Sequence, residues 1–246
     1  MKLLVCITKT PETTSKISFA SDNTEFNTEG ISYIMNPYDE WYALVRAIEL
    51  KEQLTGSVTV INVGPAENDV VIRKALAIGA DDAVRIDVDP KSSKEVATRI
   101  ASYAADKNFD IIFCGKESID YNGAEVGGMI AALMNLPYIS FASKLEHDGQ
   151  TATVSRDIEG GVETSTVTGA LVLSASKGMA EQRIPNMRGI MMAKRKPLEI
   201  VAAEEIKPDV KTIGFTLPSA KKGVKMIDPE NMDELVRLLH EEAKVI

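Results

Sequence analysis

Short apolar runs alternate with longer stretches of helical periodicity through the first half of the chain. LLVCIT leads to PYDEWYALVRAIELKEQL, SVTVINVG to DVVIRKALAIG, DAVRIDV to SKEVATRIASYAADK, and DIIFCG to a helix beginning at Ala124. Runs that are apolar throughout suit strands buried on both faces, and the periodic stretches suit helices that each bury one side. The alternation predicts an α/β fold, a parallel sheet with helices on both faces. Asn36 and Pro37 are placed to start the first long helix, with Asn36 as its cap and Pro37 in its first turn.

The pattern changes from Ser143 to Ala175, where short β-rich runs separated by glycines (TATVSRDIEGG, VETSTVT, ALVLSAS) read as a hairpin feeding a last strand. KPDVKTIGFTLPSAKKGVKMIDPE then scatters Pro, Gly and Lys without a period, and NMDELVRLLHEEAKVI resumes a helical one. The expected division is an α/β domain over 1–204, which includes an exposed loop at 181–196, and an extended arm with a terminal helix over 205–246. An arm with so little core of its own is expected to lie against another surface.

The stretch with the clearest chemistry is FCGKESIDYNGAEVGG, Phe113 to Gly128. An apolar strand runs into a glycine, a lysine and small polar residues, and a helix follows. Free backbone N–H groups at the helix start, the positive end of its dipole and Lys116 make an anion site at the carboxyl edge of a sheet, where a nucleotide phosphate fits. The segment matches neither a Walker loop nor GxGxxG, so an ordinary strand-to-helix turn with a solvated lysine is the alternative.

Composition narrows the options. A chain of 246 residues with 44% hydrophobic content can bury a sizeable core, and a net charge of −8 argues against nonspecific nucleic-acid binding. No apolar run approaches the roughly 20 residues that span a bilayer, and MKLLVCITKT reads as a strand rather than a signal peptide, so no membrane insertion and a cytoplasmic location are expected. Cys6 and Cys114 fall in expected buried strands, where cysteine behaves as a small hydrophobe. His147 and His240 have no ligand partners at metal spacing. There is no Ser-His-Asp order, HExxH or CxxC, so no catalytic or metal residue is assigned, and any chemistry falls to a bound cofactor or a partner chain.

The motifs NPYDEWYALVRAIELKE, GPAENDVVIRKALAIGADDAVRI, GKESIDYNGAEVGG, RDIEGGVETSTV and IPNMRGIMMAKRKPLE, in this order, resemble the β-subunit of electron transfer flavoprotein over nearly the whole chain. The resemblance implies a heterodimer with an α-subunit that holds most of the redox-active FAD, while the β-subunit binds AMP. It implies electrons taken from partner dehydrogenases, such as acyl-CoA dehydrogenases, and passed to a membrane-bound quinone reductase, with no side-chain catalysis in this chain. By the same resemblance the nucleotide contacts fall at Cys6, at Asn36, Pro37, Tyr38 and Asp39, at Val63, and along Gly115, Lys116, Glu117, Ser118, Ile119, Asp120, Tyr121, Asn122, Gly123, Ala124, Glu125 and Val126. Gly115 and the loop through Gly123 to Val126 would hold phosphate, with Cys6, Val63 and Asn36 lining the adenosine.

The loop departs from the family pattern. AMP-binding members are aspartate-rich here and end in Gln-Thr, whereas bifurcating relatives, which carry a second FAD in place of AMP and use NADH, end in Gln-Val. Val126 leans toward the latter, while Tyr121 and Asn122 fit neither, so a second FAD stays open as the alternative to AMP. A carboxylate at Glu125 would repel a phosphate unless it points away or caps the helix.

EQRIPNMRGIMMAKRKP resembles the family's dehydrogenase-docking segment, with Met187 at the anchoring position and Arg183, Ile190 and Met191 around it; flexible methionines suit a surface that accepts several partners. Lys194, Arg195 and Lys196 read as a solvated cluster that can also steer an acidic partner. Glu163 matches a position that faces the α-subunit's flavin domain and pairs with an arginine there. The reading from another class is a stand-alone nucleotide-binding regulator of universal-stress type, which covers the first half but leaves the β-rich segment, the Met-rich loop and the arm unexplained.

Overall fold

The computed structural model describes residues 1–207, 209–220 and 223–246. Along the chain come β1 (Lys2–Cys6), β2 (Lys9–Pro11), β3 (Tyr33–Met35), α1 (Asp39–Leu54), β4 (Ser57–Val63), α2 (Asp69–Ile78) and β5 (Asp82–Asp87). Then follow α3 (Ser93–Ala104), β6 (Ile111–Gly115), α4 (Val126–Met134), β7 (Tyr138–His147), β8 (Thr151–Ile158) and β9 (Gly161–Thr168). β10 (Leu171–Ala175), α5 (Met187–Ala193), β11 (Leu198–Ala202) and α6 (Met232–Arg237) complete the order.

Among the described residues one nine-stranded sheet runs β11-β5-β4-β1-β6-β10-β7-β8-β9, and β2 and β3 form a separate antiparallel pair. Strands from β11 to β7 are parallel to their neighbours, and β7, β8 and β9 are antiparallel. The two faces follow from alternation along each strand. Leu3, Val5 and Ile7 pack with Leu44, Ile48, Ile72 and Leu76 of α1 and α2, while Leu4 and Cys6 pack with Ala97, Ile100 and Ile130 of α3 and α4. Each buried leucine, isoleucine and valine among these contributes on the order of 1.5–3 kcal/mol of apolar transfer.

The connections define where a ligand belongs. From β1 the chain steps through α1 to β4 and through α2 to β5 on one side, then returns through α3 to β6 on the other side of β1. The strand order reverses between β1 and β6, and in open α/β sheets ligands bind outside the carboxyl ends of the strands at such a reversal.

Three details differ from the sequence reading. The β-rich segment starts at Tyr138, not Ser143, because β7 first runs parallel to β10 and then, past a bulge at Phe141 (φ 55°), turns antiparallel to β8. β10 does not end the sheet but inserts between β6 and β7. Leu198–Ala202 adds an edge strand beside β5.

Packing divides the chain into two units. Met1–Ile17 with Asn27–Ile213 makes the first, and Ser18–Phe26 with Gly214–Ile246 the second. In the second, Phe19 and Phe215 stack at 4.8 Å, and Phe215 N–H donates to Asn23 O at 2.7 Å. Asn231 caps α6, which passes into a wider π-helical turn at Leu238–Ala243. The arm read from sequence has no regular element among the described residues between β11 and α6; its positions 208, 221 and 222 lie outside them.

Candidate functional site at the carboxyl edge of the sheet

Cys6, Val63 and Gly115 are the last residues of β1, β4 and β6. The topology thus brings three positions far apart in sequence to one edge, beside the start of α1 and the loop that enters α4. Cys6 and Cys114 continue the β1–β6 register on the same face, and their thiols meet. The Cys114 contact, followed by burial, pushes the Cys6 thiol up, so Cys6 stays neutral.

Asn36 is not the cap of α1. The helix opens at Asp39, with Tyr38 in the cap position at φ 63°, ψ −95° and no side-chain cap bond, and Pro37 precedes the helix instead of entering its first turn. Tyr38's positive φ breaks the helical path there, and Asn36 is committed elsewhere. Fully buried, its Nδ2 donates to Glu117 O at 2.9 Å and its Oδ1 accepts from Ile119 N–H at 3.0 Å. One amide therefore ties the approach to α1 to the loop after β6.

That loop is shaped by its backbone. Lys116 N–H donates to Ala175 O at 2.9 Å, Asn122 N–H donates to Ser118 O at 2.9 Å, and Asp120 Oδ1 accepts from Tyr121 N–H at 3.0 Å. Asn122 and Ala124 adopt positive φ, 50° and 53°, which turns the chain into α4 past Gly123. Tyr121 and Tyr38 are exposed. Glu125 is the cap residue of α4, but its carboxylate is exposed and makes no cap bond. The N–H groups of Val126, Gly127 and Gly128 open the helix without intrahelical partners, and Gly127 packs so tightly on Tyr138 that a Cβ there would meet the ring at 3.0 Å.

The strongest electrostatic feature is Glu40, which the sequence reading missed. It is buried behind Gly115, with Oε2 accepting from Thr8 N–H and Oε1 from Thr8 Oγ1, both at 2.7 Å. Burial pushes its carboxyl up to about 8, and the bonds from Thr8 and the neighbouring Asn36 amide offset this only in part. Its helical spacing to Leu44 and Ile48 carried the signal, since it puts a carboxylate in the apolar stripe of α1. Burial likewise raises Asp39, with Lys116 opposing. Lys116 pairs with Glu117 at 2.9 Å.

A second cluster gathers around α5. Ile184, Met187 (75% exposed), Ile190 and Met191 turn outward, while Ala193 is buried and a Cβ on Gly189 would stand 2.5 Å from Ala77 O. The segment is clamped at both ends. Trp41 Nε1 donates to Arg183 O at 3.1 Å and Arg183 pairs with Glu52 at 2.8 Å; Arg73 donates to Ala193 O and Lys196 O at 2.8 and 2.7 Å. Lys196 is not part of a solvated cluster: its Nζ turns inward to Leu76 O and Ala80 O, because the carbonyls ending α2 need a donor. Lys194 and Arg195 remain exposed. Glu163, on β9, pairs with Arg156 of β8 at 3.1 Å.

The fold is a doubly wound α/β domain, the class in which ligand sites lie at a strand-order reversal. The electron transfer flavoprotein domain family matches residues 24–206. The chain is 37% identical to electron transfer flavoprotein subunit beta of Bacillus subtilis over 260 aligned positions, covering all of both chains. It is 32% identical to the mitochondrial subunit beta of Arabidopsis thaliana, again over the whole of both. The subunit beta of Homo sapiens is 30% identical over all of this chain and 99% of the human one. The chain belongs to the β-subunit family of electron transfer flavoproteins, proteins of electron transfer. Among the described residues no helix is long and apolar enough to cross a membrane, and no His, Cys, Asp and Glu cluster could hold a metal ion.

Proposed function

We propose that this chain is the β-subunit of a heterodimeric electron carrier, that it holds an AMP at the carboxyl edge, and that its α-subunit partner holds most of the FAD. FAD supplies the one- and two-electron chemistry when bound; the residues here position, exclude and dock. The observation that carries the reading is the convergence of Cys6, Val63, Asn36 and the Gly115–Val126 loop at one strand-order reversal, with the open N–H groups of α4 and Lys116 as phosphate donors. Cys6 and Val63, small and nearly buried, suit an adenosine lying on the backbone. Val126, which resembles the bifurcating motif, favours the second reading, in which another FAD takes the place of AMP and NADH is the donor.

In the same proposal the clamped, outward-facing Met187, Ile190 and Met191, with Arg183 beside them, dock a dehydrogenase such as an acyl-CoA dehydrogenase. A membrane quinone reductase receives the electrons, and Glu163 faces the flavin-bearing part of the α-subunit. The arm and terminal helix over 205–246 pack on that subunit. Co-expression with the cognate α-subunit, followed by denaturation and chromatography of the released nucleotides, tests the assignment. One FAD and one AMP per heterodimer is the expected result. Two FAD and no AMP replaces it with the bifurcating reading, and no nucleotide beyond one FAD refutes a β-subunit site.

A further inference from the structure

The carboxyl edge carries more negative than positive side chains. Asp39 and Glu40 open α1, Glu117, Asp120 and Glu125 lie on the loop, and Lys116, the lysine among them, is already bonded to Glu117 at 2.9 Å. A phosphate brought to this edge therefore meets a repulsive field, and the exposed carboxylates can be screened by solvent whereas Glu40 cannot. Glu40 is 5% exposed and lies against the backbone of Gly115, where a phosphate-bearing loop begins. The ionisable groups around it are Asp39 on its own helix, Cys6 and Cys114 on β1 and β6, and Lys116, Glu117 and Asp120 on the loop. Among the described residues its hydrogen-bond partners are Thr8 and the neighbouring Asn36 amide, and none is a cation.

The Thr8 hydroxyl can act in either sense. Facing the carboxylate it donates, and facing the neutral acid it accepts the carboxyl proton, while Thr8 N–H keeps its bond to the other oxygen. Protonating Glu40 thus removes a buried charge at the cost of turning one hydroxyl, while Thr8 N–H keeps its acceptor, which marks it as the group that can relieve the field.

We propose that Glu40 is a proton-linked positioning residue of this site: an anionic nucleotide binds the form in which Glu40 is neutral, and its arrival draws a proton onto that carboxyl. The proposal rests on the nucleotide reading above and adds to it a requirement for one proton. Since burial already places the group near pH 8, a phosphate beside it raises its proton affinity further.

Calorimetric titration of AMP into the heterodimer reconstituted without it, at pH 8.5 in EDTA and in buffers of different ionisation enthalpy, counts the protons taken up. The phosphate of AMP, with a second pKa near 6, is fully ionised there and contributes none. FAD is titrated in parallel. The expected result is net uptake of a fraction of a proton, bounded by one, with affinity falling as pH rises from 7.5 to 9.5. Glu40→Gln, of nearly the same shape, is expected to bind with no uptake and no pH dependence, which a merely structural glutamate would not produce. Saturable binding of AMP or FAD to the unmodified heterodimer without proton uptake, or uptake that survives in Glu40→Gln, overturns the proposal alone. Failure of both ligands to bind overturns the nucleotide reading and this inference with it.

Discussion

Gly115 and Glu40 approach so closely that a Cβ on the glycine would lie 2.7 Å from the glutamate Cγ and 3.0 Å from its backbone nitrogen. The end of β6 and the first turn of α1 are thus in contact without an intervening side chain, which sets the height of the loop that follows. Gly115→Ala forces one of them to move. We expect a loss of about 1–3 kcal/mol in chemical denaturation, with less nucleotide retained on purification. Gly128→Ala is the comparison, because a Cβ there meets Tyr138 at an ordinary 3.5 Å. Equal behaviour of the two variants would show that the contact does not position the loop.

Asn36 supplies the second tie. Removing its amide in Asn36→Ala leaves Ile119 N–H and Glu117 O without their partner in a half-buried place, a cost of about 1–3 kcal/mol. The effect is expected to be local. Hydrogen exchange should quicken through residues 116–125 and stay slow in β1 and β4, whereas a uniform change across the sheet would mean that Asn36 serves the core instead.

The strands β1, β4, β5 and β6 of the first half were readable because they are largely apolar runs buried on both faces, as in Ile111–Cys114, whereas the short β2–β3 pair carries no such run. The loop's place at a sheet edge was readable for the same reason. What could not be read was set by distance along the chain. Asn36 looks like a helix cap beside Pro37, yet its partners are 81 and 83 residues away. Tyr38's backbone departure and the insertion of β10 between β6 and β7 are likewise products of tertiary packing. The edge strand β11 has a largely exposed LEIVA pattern that carries no burial signal. Met187 and its neighbours were assigned by resemblance, and their outward orientation came only with the clamp formed by Trp41, Arg73 and Lys196.

That clamp makes the docking reading testable without disturbing the fold. Met187 is 75% exposed, so Met187→Ala is expected to leave the thermal midpoint within about a degree, in keeping with the small effect of surface substitutions. Electron transfer from an acyl-CoA dehydrogenase, followed by flavin absorbance in a stopped-flow instrument, should slow severalfold at equal FAD content. Unaltered kinetics would remove Met187 from the interface.

The buried acid also has a consequence for stability that needs no ligand. Glu40 titrates near 4.5 when unfolded and near 8 in the fold, so between those values the native state holds a proton that the unfolded state has lost. Stability from this group is full below pH 4.5, falls as pH rises through the window by up to about 1.4 kcal/mol per unit, and levels off above about 8. His147, which burial depresses below its usual 6.5, acts in the opposite sense near and below that value, and Asp39 in the same sense at lower pH. Comparing the unmodified protein with Glu40→Gln cancels both. Denaturation midpoints of the two heterodimers at pH 5.5, 7 and 8.5 should therefore diverge, with the glutamine variant gaining relative stability at each step. A constant difference across the series would place the carboxyl's titration outside this window and leave Glu40 as a plain hydrogen-bond acceptor for Thr8.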